Sequence, residues 1–402
     1  MAPAADDGRG SSSVGRSMRR QPLRIGLLFS STGPYSVVAR SMLNGALLAL
    51  AEHNASHPDC ELEPVVVNPG GETGQYAVLA TELLKSGIRH VVGCYTSSSR
   101  KEVIPAFEKH DALLWYPSHY EGFETSSQVI YTGAAPNQHI LPLVEHMVGE
   151  GRRRAFCVGS NYIWAWENNR IMREAILSHE GQIVAERYLP VGEIDLARVV
   201  DEIIATRPGF IFNTLIGTSA YQFFRDLRAA CTSRGIDQVS AFPVASCSLS
   251  EPELEEIGPD AVDGHLSSSV YFATVETPEN RRFLSAYAQA FPAGPTVSAD
   301  AEASYIAMKL LGRALVAAGT DAIETVKAAA ATIELDAPQG PVLIDPDTMH
   351  AFLTPRIGRS TAEARFDVVK AASAPVRPDP YLVQSMPRFA APARATNLRL
   401  VR

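Results

Sequence analysis

Four clusters of hydroxyl and aromatic side chains are the part of this sequence best equipped for chemistry. They are Tyr95-Thr96-Ser97-Ser98-Ser99, Trp115-Tyr116-Pro117-Ser118-His119-Tyr120, Ser160-Asn161-Tyr162-Ile163-Trp164-Ala165-Trp166 and Ser246-Cys247-Ser248-Leu249-Ser250. Hydroxyls both donate and accept hydrogen bonds, and Tyr and Trp are nearly rigid rings with one polar handle, so facing clusters of them can shut around a small polar molecule. None of the central residues is charged. That favours a neutral amide or urea-like ligand over a zwitterion, whose ammonium group calls for a carboxylate. Glu251, beside the fourth cluster, is the acid that could supply one and keeps the zwitterion open. The serines also have a plainer use: Ser99 can cap the next helix, with Glu102 completing a capping box. Capping is compatible with a ligand contact from Ser97 or Ser98, because the first-turn amides of a helix have no internal partners.

Signatures of catalysis are missing. The chain has no G-x-x-x-x-G-K-[ST] loop, no G-x-G-x-x-G after a strand, no H-E-x-x-H and no G-x-S-x-G. Its one S-x-x-K, Ser98 to Lys101, lacks the S-D-N and K-T-G companions of the hydrolases that use it. The ten histidines never take metal-ligand spacing, and the five cysteines (Cys60, Cys94, Cys157, Cys231, Cys247) show no C-x-x-C. No catalytic residue, metal site or cofactor is expected, and a reduced compartment suits the cysteines best.

The clusters stand where an alternating α/β chain would present them. Short aliphatic runs at 24–29, 63–67, 90–93 and 112–116 read as strands separated by helices near 38–53, 75–86 and 99–109. A second series follows, with strands at 155–159, 183–186, 210–213 and 242–245 and helices near 165–179, 196–206 and 218–231. Two such series predict two doubly wound lobes, and the clusters then fall at strand carboxyl ends, where such sheets bind ligands. The first boundary lies near Ala134-Ala135-Pro136-Asn137. Past Val262 come a run at 267–272, helices near 278–291 and 299–317, and a Pro/Gly-rich stretch, Ala337-Pro338-Gln339-Gly340-Pro341, expected to cross back. The division is therefore 23–135 with 265–337 as the N-terminal lobe and 136–264 with 338–385 as the C-terminal lobe. Three crossings would make a hinge. Residues 1–22 read as a flexible leader and 386–402 as a surface tail.

Composition narrows the function further. The chain has 402 residues, 46% hydrophobic, with 36 Lys plus Arg against 44 Asp plus Glu. It can bury one large or two smaller cores without staples. The net charge of −8 argues against a nucleic-acid surface or an anionic membrane as its main partner. No apolar run reaches the roughly 18 residues of a spanning helix, and residues 1–21 lack the apolar stretch of a secretory signal, so a soluble, cytoplasmic chain without membrane insertion is expected.

At these residues the sequence resembles the periplasmic-binding-protein-like amide sensors, the AmiC-like negative regulators of aliphatic amidase operons. The likeness runs from about Leu23 to Tyr381. It rests on Ile25-Gly26-Leu27-Leu28-Phe29-Ser30, on Val92-Gly93-Cys94-Tyr95-Thr96-Ser97 with Arg100-Lys101, and on Tyr116-Pro117 followed by Tyr120-Glu121-Gly122-Phe123-Glu124. Ala135-Pro136-Asn137-Gln138, Gly159-Ser160-Asn161-Tyr162-Ile163, Asp336-Ala337-Pro338-Gln339-Gly340-Pro341-Val342 and Arg377-Pro378-Asp379-Pro380-Tyr381 extend it. The resemblance implies a type I periplasmic-binding-protein fold with a three-crossing hinge. It implies a receptor that closes on a short aliphatic amide and otherwise sequesters a transcription antitermination protein. The wider family includes binding components of urea, short-chain-amide and branched-chain amino acid ABC transporters, which is the alternative function. The implied ligand contacts are Tyr95, Ser97, Tyr116, Ser118, Tyr162, Trp164 and Ser248, with Ser118 at a threonine position and Trp164 at a tyrosine position of the family pattern. A homo-oligomer is left open.

Overall fold

In the computed structural model residues 21–386 are described; the expected leader, apart from Gln21 and Pro22, and the expected tail beyond Met386 lie outside them. The chain runs β1 (Leu23–Leu28), α1 (Ser36–Ser56), β2 (Leu62–Val67), α2 (Thr73–Lys85), β3 (His90–Gly93), α3 (Ser97–Lys109), β4 (Leu113–Tyr116) and β5 (Val129–Tyr131). It continues through α4 (Pro136–Gly149), β6 (Arg154–Ser160), α5 (Ile163–Ser178), β7 (Gln182–Leu189), α6 (Ala197–Thr206), β8 (Phe210–Thr214), α7 (Thr218–Ser233), α8 (Gln238–Ala241), β9 (Val244–Ser246), α9 (Glu251–Ile257) and β10 (Leu266–Ser269). Last come α10 (Pro278–Ala290), α11 (Ala299–Ala318), α12 (Ile323–Ala330), β11 (Leu335–Ala337), β12 (Gly340–Asp345), β13 (His350–Phe352), β14 (Arg356–Ser360) and β15 (Phe366–Ala371).

Two sheets result, each with the same parallel heart. The first is ordered β11-β12-β13-β5-β4-β3-β1-β2 and the second β15-β14-β10-β9-β8-β6-β7. Read from its start, each parallel part has the order 2-1-3-4-5, a doubly wound sheet whose switch point lies beside its first strand. Strands β1, β3 and β4 are buried almost throughout, as parallel strands covered on both faces must be, which is why they read as continuous apolar runs. Helices α1 and α11 pack tightly on the first lobe, and Gly45 permits the approach: a Cβ there would lie 2.2 Å from the Ala301 carbonyl oxygen. The expected architecture of two doubly wound α/β lobes is thus present.

The pairing differs from the sequence division at two crossings. β10 joins the second sheet, parallel to β9, so the chain leaves that lobe after Ser269 and not at 265. The Pro/Gly-rich stretch at 337–341 is the turn of an antiparallel hairpin, β11 to β12, within the first sheet. β12 and β13 stay in that sheet, so the last crossing lies between Phe352 and Arg356 and not at 338. A Pro/Gly cluster marks a tight turn and a linker equally well, so composition alone did not distinguish them. Arg356 ties the crossings together, donating to the carbonyls of Val270, Thr354 (2.9 Å) and Gln339 (2.7 Å). The segment after β15 wraps back: Asn137 donates to Arg377 O (2.8 Å), and Tyr381 donates to Glu124 O (2.8 Å). No helix among the described residues is long and apolar enough to cross a membrane.

Candidate functional site

The carboxyl ends of the two parallel sheets face each other, and the loops that leave them enclose a small cavity. Tyr95 and Ser97 follow β3, Ser118 and His119 follow β4, Tyr162 and Trp164 follow β6, and Ile216 follows β8; together they line a tight space of about 180 Å³, its opening to solvent included. Five of the seven residues singled out from sequence meet here. Tyr116 and Ser248 do not line the cavity. Tyr116 lies behind it, donating its hydroxyl to Tyr95 O (2.9 Å), while Ser248 turns back toward Ser246, with 3.2 Å between their hydroxyl oxygens. Larger grooves exist on the outer surface, such as that between Leu141, Glu145 and Leu177, but they draw no residues from the facing loops.

Local sequence fixes each wall. Thr96 caps α3, its hydroxyl accepting from Ser99 N (3.2 Å), whereas Ser99 was the expected cap. Ser99 instead donates to Thr96 O (2.7 Å), and the helix starts three residues earlier than a Ser99 cap implies, with Ser97 at its first position. That start sets Ser97 under the cavity, and the left-handed turn at Cys94 (φ +66°) swings Tyr95 toward it. On the opposite lobe Tyr162 is the extended N-cap residue of α5, which places Trp164 in its first turn. His119 is wedged between the rings of Tyr95, His139 and Trp164 (centroids 6.5, 5.9 and 5.4 Å) and its Nδ1 lies 3.2 Å from Asp300 Oδ1.

Two polar groups here lack a hydrogen bond within the protein. The buried Trp164 Nε1–H has no acceptor, and Ser118 Oγ, although it lies beside the Tyr116 hydroxyl, makes no well-formed hydrogen bond. A buried donor left unmet costs about 1–3 kcal/mol, so both groups are primed for a ligand. Ser97 is already engaged, donating to Glu121 Oε2. Burial, followed by the charges of Glu253 and Asp300, holds the Tyr95 phenol well above its usual range, so it stays protonated. The cavity offers no activated nucleophile, and among the described residues no group of His, Cys, Asp and Glu is arranged to hold a metal. Glu251 is occupied elsewhere: it accepts from Ala273 N (2.7 Å) and does not reach the cavity.

His119, Ile216 and the Arg100–Glu121 pair behind Ser97 were not among the residues selected from sequence. The first two carry a usable signal, since both sit just past strand ends. The ion pair joins positions 21 apart: both residues stand in motifs that carry the resemblance, but nothing in the sequence pairs them.

Comparison with known proteins identifies the fold. The model of the periplasmic binding protein domain matches residues 23–387. A Leu/Ile/Val-binding protein homolog 6 from Brucella abortus is 23% identical over 336 residues, covering 82% of this chain and 85% of that one. A solute binding protein of an ABC transporter from Rhodopseudomonas palustris HaA2, solved with p-hydroxybenzoic acid, superposes with a TM-score of 0.82 at 19% identity, covering 91% of this chain and 100% of that one. The branched-chain amino acid transporter substrate binding protein LivJ from Streptococcus pneumoniae, solved with isoleucine, gives 0.74 at 19% identity, with 89% and 100% covered.

Proposed function

The chain belongs to the periplasmic binding protein domain family, and from that premise we propose that it is a non-enzymatic binding protein whose lobes close on a small neutral molecule carrying both a hydrogen-bond donor and an acceptor, such as a short amide or urea. The observation that carries this reading is the cavity itself. Even counted with its opening to solvent the space is only about 180 Å³, which suits a ligand of a few heavy atoms better than a large one. Its free polar groups are an indole N–H and a serine hydroxyl, with no carboxylate on its wall to receive an ammonium group.

For the biological role, the relatives favour transport. The structural neighbours described above are binding proteins of transporters, and we take delivery of the ligand to a membrane permease as the leading role. The motif resemblance between Leu23 and Tyr381 supports a second reading, in which the same closure releases an antitermination protein and thereby lifts repression of an amidase operon, in the cytoplasm. Titration calorimetry with acetamide, propionamide, urea, leucine and 4-hydroxybenzoate tests the ligand class. A neutral amide or urea is expected to bind most tightly; leucine or 4-hydroxybenzoate binding tenfold tighter than all three would overturn it. Affinity capture from native extract with and without the winning ligand separates the roles: ligand-released capture of an RNA-binding regulator favours the second.

A further inference from the structure

Ser97 is the cavity hydroxyl whose polarity is already decided. It donates to Glu121 Oε2, the other carboxylate oxygen of Glu121 lies 2.9 Å from Arg100 Nη2, and Arg100 Nη1 lies 3.4 Å from Ser97 Oγ. Arg100 and Glu121 are wholly buried, at 0% and 1% exposure. The guanidinium carbon lies 5.0, 4.7 and 5.9 Å from the ring centroids of Tyr116, Tyr120 and Tyr131, an aromatic cage that favours a cation. Beyond the cage, His350 closes the network. Its Nδ1 is 2.6 Å from Thr348 O, a pure acceptor, so that nitrogen carries the proton and Nε2 accepts from the Tyr120 hydroxyl.

Arginine does not give up its proton in a protein, and a carboxylate held against it is an acceptor only. The single proton between Ser97 and Glu121 is therefore the serine's. A hydroxyl has one proton; once it is spent on Glu121, the oxygen turns only lone-pair density toward the cavity.

We propose that Arg100 and Glu121 are positioning residues that fix Ser97 as an obligatory acceptor, so that the site admits only ligands donating an N–H or O–H at that point. The proposal rests on the reading of this cavity as the ligand site. An amide satisfies the arrangement: its NH₂ gives to Ser97 Oγ, and its carbonyl takes from Trp164 Nε1–H or the Ser118 hydroxyl. A carboxylate of the same shape sets an anionic oxygen against a lone pair with no proton to place between them, since the Arg100–Glu121 pair behind is neutral in sum and keeps the serine proton directed at Glu121. The sensing of amide against acid is thus built outside the cavity, in a pair that never touches the ligand.

Matched amide and acid pairs test this: acetamide with acetate, propionamide with propionate and benzamide with benzoate, titrated calorimetrically into the full chain. Wild type should prefer the amide by at least a hundredfold in the pair that binds best. In Glu121→Gln the amide side chain can donate to Ser97 and release its hydroxyl proton toward the cavity, so the preference should fall at least tenfold, with the acid gaining affinity in absolute terms. Because that variant leaves Arg100 unpaired, the double change Arg100→Met with Glu121→Gln removes both charges at similar volume and should show the same collapse of preference. A merely structural pair would lower the melting temperature and weaken both ligands alike, and an unchanged amide-to-acid ratio in both variants overturns the proposal alone. Wild type that binds no member of any pair overturns it together with the reading of the cavity.

Discussion

Replacing Gly217 by alanine tests whether closure of the lobes is what binding depends on. Gly217 follows β8 in the second lobe, at φ +59°, and faces Pro34 in the loop after β1 of the first. The contact is part of the closed arrangement, with Thr218 N donating to Pro34 O (3.3 Å). A Cβ on residue 217 would lie 2.3 Å from that oxygen, about 1 Å short of the roughly 3.3 Å at which carbon and carbonyl oxygen settle. Backbone meets backbone here, so no side chain can swing away, and the lobes must part by a comparable distance. Overpacking of this kind costs about 1–3 kcal/mol. The clash exists only when the lobes are closed, so it subtracts from ligand affinity, giving roughly 5- to 150-fold weaker binding. Positive φ adds a separate cost of roughly 1–3 kcal/mol in open and closed forms alike, which lowers stability without altering affinity. Gly235 supplies the control: it has φ +65° and open space around its Cβ position. Calorimetric titration and thermal unfolding of Gly217→Ala and Gly235→Ala should show both destabilised but only the first impaired in binding. Gly217→Ala binding within twofold of wild type would refute the argument, because it would mean the ligand-bound form does not bring residue 217 onto Pro34.

Two further outcomes follow from the same structure. Trp164→Phe removes the unmet indole N–H while keeping the ring stacked beside Tyr162 (centroids 6.2 Å apart), and should weaken amide binding by about 0.5–1.5 kcal/mol with little change in melting temperature; undiminished affinity would place the ligand's acceptor elsewhere. Stability should depend on pH in a predictable direction. Burial raises Glu251 to about 7 and Glu253 and Glu302 to about 8, and it lowers His139 to about 3 and His90, His265 and His350 to about 4. Between about pH 4.5 and 6.5 the folded chain holds carboxyl protons that the unfolded chain loses, while the unfolded chain holds imidazole protons that the folded one excludes, and the two trends oppose. Above 6.5 only the carboxyls remain, so melting temperature should fall from there to about pH 8. Glu302→Gln should halve the slope above pH 7, where Glu253 and Glu302 are the groups still titrating; thermal melts from pH 5 to 8.5 that stay flat above 6.5 would contradict this.

Most of the two parallel hearts was legible because a strand covered on both faces must be apolar throughout, as β1 and β3 are; the three-residue β5 was not legible, and β10 lies in the other lobe from the one expected. The antiparallel additions were not, since β11 and β13 have three residues each and β15 is mostly exposed, leaving no apolar run to read. Within the site, the family resemblance named Tyr95, Ser97, Ser118, Tyr162 and Trp164, all of which stand past strand ends. Tyr116 was misleading for a physical reason: it is still inside β4, where neighbours point to opposite faces, so Trp115 enters one core cluster and Tyr116 another. The Arg100–Glu121 pair stayed hidden because a helix and a loop bring it together only through the tertiary fold, and two isolated charges in a sequence read by default as surface.

The size of the cavity also constrains how the two lobes are balanced. A ligand of four heavy atoms supplies at most about 6 kcal/mol, a dissociation constant on the order of tens of micromolar. At a hundred times that concentration it shifts an open–closed equilibrium by no more than about 2.7 kcal/mol. Yet the closed form already has contacts of its own across the cleft, Gly217 and Thr218 on Pro34 and the His119 and Trp164 rings together. If these exceeded the cost of bending the three crossings by more than that margin, the lobes would stay shut and the ligand would change nothing. The unmet Trp164 N–H and the uncommitted Ser118 hydroxyl work against premature closure, because shutting the empty cavity removes both from water with no partner supplied. A carboxylate entering the cleft meets Ser97's lone pair in the same step, so discrimination and closure act on one equilibrium. Whatever reads the closed state, permease or regulator, is coupled to the ligand through that margin, and by linkage it alters ligand affinity by the factor that the ligand alters its own.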